Sequence, residues 1–126
     1  MQDLTPNHLR NVMRRAGERF ARWYALTNAG TVADLQAAMN SIWDTLDWGW
    51  VEIREAEERL VLTHFYAPLR AAFGEYESWS GAFLEGVYEC WMRQQGADPQ
   101  LHVTSAGASD AASSVFYFGK ATQREA

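Results

Sequence analysis

The chain has 126 residues, of which 48% are hydrophobic, 13% aromatic and 21% charged, and its formal net charge is −5 at pH 7. This length and composition are typical of one folded domain with a single core, and they exclude a disordered chain. An acidic surface repels phosphate backbones, so no nucleic-acid partner is predicted.

The first predicted element is an amphipathic helix that begins near Pro6, because proline is favoured in the first turn of a helix. Apolar residues follow with the 3.6-residue period of one helix face, and the Asn-Ala-Gly segment at 28–30 ends the pattern. The apolar positions are Leu9, Val12, Met13, Ala16, Phe20, Trp23 and Tyr24.

Arginines occupy the other faces of this helix and carry nearly half of the positive charge of the chain. One interpretation is an ordinary solvated face. The other is a docking face for an acidic partner or for a neighbouring subunit. The arginines of the helix are Arg10, Arg14, Arg15, Arg19 and Arg22, and the possible docking face consists of Arg10, Arg14, Arg15 and Arg22.

A second amphipathic helix is predicted to begin after Thr31, since Thr31 and Asp34 have the spacing of a capping box. We expect the two helices to form a helical hairpin closed by a short turn that contains Gly30. The apolar positions of this second helix are Leu35, Met39, Ile42, Trp43 and Leu46.

The period then changes from helical to alternating, which predicts a β-hairpin. Val51 and Ile53 alternate with charged residues, a charged turn covers 55–59, and an apolar strand follows from Leu60. A third helix is predicted over 81–95, with Ser78 or Ser80 as its cap. A second hairpin follows, with a turn at 106–114 that is rich in glycine, alanine and serine.

This order predicts an α+β fold in which two hairpins form a four-stranded antiparallel sheet. We treat residues 1–126 as one domain, with a helical pair at 6–47, the hairpin, helix and hairpin at 48–120, and a short tail at 121–126. The third helix is expected to cover one face of the sheet. Either the first two helices or another protomer would cover the second face.

The titratable side chains give no strong sign of catalysis. His8, His64 and His102 lack the spacing of metal ligands, and His64 is expected to be a packed or hydrogen-bonded histidine. Cys90 is the single cysteine, which rules out an intrachain disulfide, and it is predicted to be a small core residue. We therefore expect no cofactor and no metal.

One enzymatic alternative rests on carboxylates. A hydrolase could use a carboxylate pair that faces a cleft, with Glu52 as one member. The carboxylates of the first hairpin also include Glu55, Glu57 and Glu58, and a solvated edge is the more ordinary interpretation of such a group.

No targeting segment is predicted. The N-terminus has no apolar stretch before a small-residue cleavage site, and no run of about 18 apolar residues occurs anywhere. We therefore expect a chain without a transmembrane segment. It would be located in the cytoplasm, with the periplasm as the alternative.

Two motifs carry a resemblance to a known family. The sequence LDWGWVEI at 46–53 and the sequence LEGVYECW at 84–91 resemble the corresponding segments of the D subunit of the bacterial cellulose synthase complex. Segments around Phe20 and at 35–40 are similar as well. The motif residues interpreted as packing or oligomer-interface positions are Trp48, Gly49, Trp50, Val51, Leu84, Glu85, Gly86, Tyr88 and Trp91.

The resemblance implies a non-catalytic accessory subunit that forms an octamer built from dimers. It further implies a scaffold or channel that assists export and crystalline alignment of a β-1,4-glucan chain, in association with other subunits of the inner-membrane complex. Gly81 and Gly86 would allow the third helix to approach the sheet or a second copy closely. The possible glucan-passage segment is Met1, Gln2, Asp3 and Leu4.

A different class of function stays open from the sequence. A helical pair and a four-stranded sheet could enclose an apolar cavity, as in small-ligand-binding modules that resemble vinyl reductases. The many aromatic residues, which include six tryptophans, would then line that cavity.

Overall fold

The structure, a computed structural model, describes residues 6–26, 28–65, 77–110 and 113–120. Its element order confirms the predicted α+β fold of two helices, a hairpin, a helix and a second hairpin. The predicted tail at 121–126 lies outside the described residues. The elements are α1 (Pro6–Trp23), α2 (Val32–Leu46), β1 (Trp50–Ala56), β2 (Arg59–Phe65), α3 (Glu77–Gln94), β3 (Leu101–Asp110) and β4 (Ser113–Lys120).

Helix ends mostly follow the predicted signals. The Thr31 hydroxyl accepts a hydrogen bond from the Asp34 N–H at 3.0 Å and so caps α2. Helix α3 ends at Gln94 and is followed by Gly96, whose φ of 85° is the left-handed conformation that glycine favours. The predicted start of α3 at Gly81 is wrong, because the helix begins four residues earlier, at Glu77.

The four strands form one antiparallel sheet in the order β1-β2-β4-β3. The first turn is tighter than predicted, since β1 runs to Ala56 and β2 begins at Arg59. The second turn was predicted at 106–114, but β3 continues to Asp110 with register shifts near Gly107. Bulges thus keep small residues in a ladder where composition suggested a loop.

Helices α1 and α2 do not pack as the predicted helical hairpin. Among the described residues, α1 lies along α3 and α2 lies beside β1. The two helices meet through side chains, with the rings of Phe20 and Trp43 stacked at a centroid distance of 5.5 Å. Hydrogen bonds from Leu26 N–H to Gln94 and from Ala29 N–H to Gln95 fasten the connection between them to the end of α3.

The core lies on one face of the sheet, which we call the inner face. Leu62 and Phe116 are cross-strand partners on it, both are buried, and Phe116 packs against Tyr88 of α3. The opposite, outer face carries Trp50 and Phe65, whose rings stack at 5.2 Å. The sheet residues of the main core cluster are Val51, Ile53, Leu60, Leu62, Leu101, Val103, Phe116 and Phe118, all of which belong to the inner face.

Helix side chains cover backbone groups along both outer edges of the sheet. At β1, the Asn40 amide pairs with both the N–H and the C=O of Val51, at 2.7 and 2.9 Å, and Gln36 accepts from the Ile53 N–H. At β3, Glu89 and Glu85 of α3 accept from the N–H groups of Val103 and Ser105. These positions cannot add a strand from another chain without losing those bonds.

The LDWGWVEI motif forms the junction between α2 and β1. Asp47 has φ 59° and ends α2, while the Trp48 N–H bonds back to the Trp43 carbonyl at 2.9 Å. Gly49, at φ 76°, then turns the chain into β1. The motif therefore places Trp48, half-buried, against the core and Trp50 on the outer face.

Candidate functional site

Two glycines bring the backbones of α1 and α3 into contact. A Cβ atom added at Gly86 would lie 2.0 Å from the Arg14 carbonyl oxygen, and one added at Gly17 would lie 2.0 Å from the Phe83 carbonyl oxygen. The close neighbour of Gly86 is thus α1 of the same chain, not the sheet or a second copy. Gly81 does face the sheet, at ordinary contact distance from the Ser105 hydroxyl.

Sequence reasoning missed Gly17 as the second half of this crossing. A signal was present, because Gly17 and Ala21 are small residues spaced four apart on one side of α1. Ala21 is completely buried, and its carbonyl accepts a hydrogen bond from the Gln94 amide at 3.0 Å.

A cluster of ionic side chains lies beside the crossing and joins α1, α3 and β3. Glu85, 6% exposed, accepts from Arg14 at 2.7 Å and from Arg10 at 3.1 Å. The same carboxylate accepts from the backbone N–H of Ser105 at 3.1 Å and from its hydroxyl. Two of the predicted docking arginines, Arg10 and Arg14, are therefore engaged inside the chain.

Glu89 extends the cluster by one helical turn. It accepts from Arg14, from Arg93 at 3.2 Å and from the Val103 N–H at 3.0 Å, and it lies 3.3 Å from His102 Nδ1. Burial alone would raise the pKa of Glu89. The Val103 hydrogen bond, the charge of Arg14 and the contact with His102 together hold that pKa below its usual value.

Replacement of Glu85 by alanine is expected to lower the free energy of unfolding by about 2 kcal/mol, because it removes a buried acceptor for a strand N–H and for two arginines. The arginines stay partly solvated, which limits the loss. Urea unfolding measures the change. Glu85→Gln keeps an acceptor and should lose less, and an alanine variant as stable as the parent would contradict the structural role of this cluster.

His64 lies in a second buried polar group. Its Nε2 lies 2.8 Å from the Trp48 carbonyl oxygen, and its Nδ1 contacts the Tyr88 hydroxyl. The indole N–H of Trp43 donates to the same hydroxyl at 3.0 Å. The Trp48 carbonyl can only accept, so Nε2 carries the proton and Nδ1 accepts from Tyr88.

Burial lowers the pKa of His64 to about 4, although the hydrogen bond to Trp48 partly opposes this. Burial also raises the pKa of Tyr88 well above its usual value. Both groups are therefore neutral at pH 7. The prediction of a packed, hydrogen-bonded His64 is confirmed by these contacts.

Aromatic side chains fill the space between the helices and the inner face. Trp43 and Trp48 stack with ring centroids 5.6 Å apart, and Phe20 stacks on Trp48 at 5.7 Å. Trp91 packs against Trp43 at 5.3 Å and donates its indole N–H to the Tyr24 carbonyl. In the described core, these aromatic rings therefore pack against one another.

The face of α1 that points away from the core is basic and also carries two apolar residues. Val12 and Trp23 were predicted to lie on the buried, apolar face, and that prediction is wrong. Val12 is 45% exposed and Trp23 is 84% exposed. We call Val12, Arg15, Arg19, Arg22 and Trp23 the basic strip. Within the part of the chain that the structure describes, the three arginines of the strip are exposed and form no ion pair, in contrast to Arg10 and Arg14.

The hairpin carboxylates do not form the pair that a glycosidase needs. Glu52 and Glu55 point to opposite faces of β1, since Glu52 is opposite Thr63 and Glu55 is opposite Leu60. Glu57 and Glu58 lie in the turn, and all four are exposed.

Burial raises the pKa of the Cys90 thiol, which disfavours the nucleophilic thiolate.

The remaining predicted site residues occupy different parts of the fold. Val51, Leu84, Tyr88 and Trp91 are buried in the core. Trp50 is 42% exposed on the outer face, so it does not pack in the core. The segment Met1, Gln2, Asp3 and Leu4 lies outside the described residues.

The fold and these clusters define an α+β domain in which the buried side chains of Glu85, His64 and Tyr88 are hydrogen-bonded within the chain. The comparison with protein families matches residues 2–119 to the D subunit of cellulose synthase. The chain therefore belongs to the family of the cellulose synthase D subunit, which confirms the resemblance carried by the two motifs.

As a member of this family, the chain is a subunit of cellulose synthase with a role in cellulose synthesis. A search of curated proteins found no match. Among the described helices, none is both long and apolar enough to cross a lipid bilayer.

Proposed function

We propose that this chain is a non-catalytic accessory subunit of cellulose synthase that assembles into a closed homo-oligomer, an octamer built from dimers. In this role it is a scaffold or channel that assists export of glucan chains and their alignment into crystalline cellulose. It acts on the cytoplasmic side, in contact with other subunits of the inner-membrane complex. Its N-terminal segment, Met1, Gln2, Asp3 and Leu4, contacts the β-1,4-glucan chain.

The match to the family over residues 2–119 is the observation that carries this proposal. The use of the polar side chains supports it. Glu85 and Glu89 hold α1 and the edge of β3, and His64 connects Trp48 to Tyr88. The exposed carboxylates of the first hairpin are placed for solvation rather than for acid–base work on a shared substrate.

Surface features support self-association. The outer face of the sheet carries Trp50, which is 42% exposed, and the half-buried rings of Phe65 and Tyr117. Aromatic side chains that stay accessible on one face are typical of subunit interfaces. Helix side chains already bond to backbone groups of Val51 and Ile53 in β1 and of Val103 and Ser105 in β3. Subunits would therefore associate through the faces of the domain, because a strand from another subunit could not pair with these backbone groups.

The test of the proposal is the solution mass of the purified chain, measured by light scattering after size exclusion at several concentrations. A single species with the mass of eight 14.3 kDa chains is the expected result. A species that stays monomeric over the micromolar range would overturn the assembly and the scaffold role with it. Added cello-oligosaccharides should be recovered unchanged, whereas shortened products would overturn the non-catalytic assignment.

A further inference from the structure

The basic strip of α1 is the least explained charged surface of the molecule. Arg15, Arg19 and Arg22 lie within one side of the helix, directly away from the side that Gly17 places against α3. Arg10 and Arg14 lie on the side of α1 that faces α3, where they form ion pairs with Glu85 and Glu89. The strip is thus a separate surface whose three arginines form no ion pair with a described residue, although Glu18 lies one helical turn before Arg22.

The strip also carries apolar side chains, and contact with solvent alone gives no reason for them to be there. Trp23 is 84% exposed and Val12 is 45% exposed, and both lie between or beside the unpaired arginines. A tryptophan flanked by arginines is the composition of the residues that contribute most to binding at protein interfaces. The combination favours a protein surface with negative charge as the partner.

The same chain offers such a surface. Glu55, Glu57 and Glu58 project at the tip of the β1–β2 hairpin, and we call these residues the acidic tip. All three are exposed and, within the described residues, form no ion pair. The turn between β1 and β2 consists of Glu57 and Glu58, and Glu58 has a φ of 65°.

We infer that the basic strip of one copy docks on the acidic tip of a second copy. The inference rests on the homo-oligomer of the proposed function and names one of its contacts. Strip and tip are different surfaces, so the contact is heterologous: each copy uses its strip toward one neighbour and its tip toward another. Such a contact propagates around a ring until the ring closes.

Charge reversal tests this contact directly. The strip variant carries Arg15→Glu, Arg19→Glu and Arg22→Glu, and the tip variant carries Glu55→Lys, Glu57→Lys and Glu58→Lys. Each variant alone opposes like charges and is expected to lose the wild-type oligomer mass. The variant with both sets of changes restores opposite charges, keeps the net charge at −5, and is expected to regain the wild-type mass.

Mixing the two single-set variants provides a second, independent restoration. In the mixture, the negative strip of the strip variant can dock on the positive tip of the tip variant. At the next contact, the native strip of the tip variant docks on the native tip of the strip variant. We therefore expect the mixture to form an oligomer in which the two variants alternate. Native mass spectrometry identifies it, because the two chains differ in mass.

Trp23→Ala is a further variant that leaves the charges unchanged. The side chain is mostly solvated, so the fold should be retained, as circular dichroism checks. Dissociation on dilution should then occur at about tenfold higher concentration than in the wild type, since an anchoring tryptophan is lost. High salt should weaken the wild-type contact in the same assay, because exposed charges are screened.

The outcomes separate this inference from the proposed function. If the wild type assembles and the strip and tip variants keep its mass, the contact is wrong while the assembly stands, and the strip serves a different partner. Loss of mass without restoration in either the combined variant or the mixture also overturns the contact. A monomeric wild type overturns both the contact and the assembly.

Discussion

Replacement of Gly86 by alanine is expected to lower the free energy of unfolding by about 3 kcal/mol, the upper end of the range for overpacking. The added Cβ would lie 2.0 Å from the Arg14 carbonyl oxygen and 3.1 Å from the Glu18 nitrogen, so the backbone of α1 must move. Alanine is favoured over glycine within a helix by about 1 kcal/mol, and this gain is too small to offset the clash.

Gly81→Ala is the matched control, because it makes the same change in the same helix. Its Cβ would lie 3.4 Å from the Ser105 hydroxyl, an ordinary contact. Stability should therefore be unchanged or rise by up to about 1 kcal/mol through helix propensity. Urea unfolding of both variants measures the difference. A Gly86 variant as stable as the Gly81 variant would show that α1 and α3 separate at no cost.

Local patterns predicted the elements because each element has its own signal in the sequence. The Thr31 cap, the alternation from Val51 and the stop at Gly96 are each set by a few neighbouring residues. The start of α3 was predicted too late. Ser78 and Ser80 before Gly81 have the composition of a helix cap, but the helix already begins at Glu77. The stretch of glycine, alanine and serine around Gly107 was predicted to be a turn from its composition, but its pairing with β4 overrides that composition.

The partner of each helix could not be predicted, because periodicity identifies a buried face without identifying what covers it. Helix α1 packs on α3, more than 60 residues away in sequence, through glycines that carry no side-chain pattern. Periodicity also placed Val12 and Trp23 in the core, although they lie outside it. The amides of Gln36 and Asn40 look like ordinary helix surface until β1 is placed beside them.

The candidate sites show the same division. His64 was predicted to be packed because it alternates with apolar residues of one strand. Its hydrogen-bond partners, Trp48 and Tyr88, come from two distant segments and could be identified only in the structure. The five arginines of α1 form one group in the sequence, but the structure divides them between an internal ion cluster and the outward basic strip. That division depends on Glu85 and Glu89, which lie on another helix.

Acid is expected to destabilise the fold through His64. The pKa of the buried imidazole is about 4, against 6.5 in an unfolded chain, so the unfolded state binds a proton first as the pH falls. Stability from the neutral histidine is complete above about pH 6.5, decreases as the pH falls toward 4, and levels off below that. The total decrease is about 3 kcal/mol.

Comparison with His64→Gln isolates this contribution from that of the titrating carboxylates. Urea unfolding of both proteins between about pH 7 and pH 4 gives the difference in stability at each pH. The variant is less stable at neutral pH, because glutamine cannot bond to both Trp48 and Tyr88, but it lacks the titrating ring. The difference should therefore shrink by about 3 kcal/mol over this range. A constant difference between wild type and His64→Gln would show that protonation of His64 is not linked to unfolding.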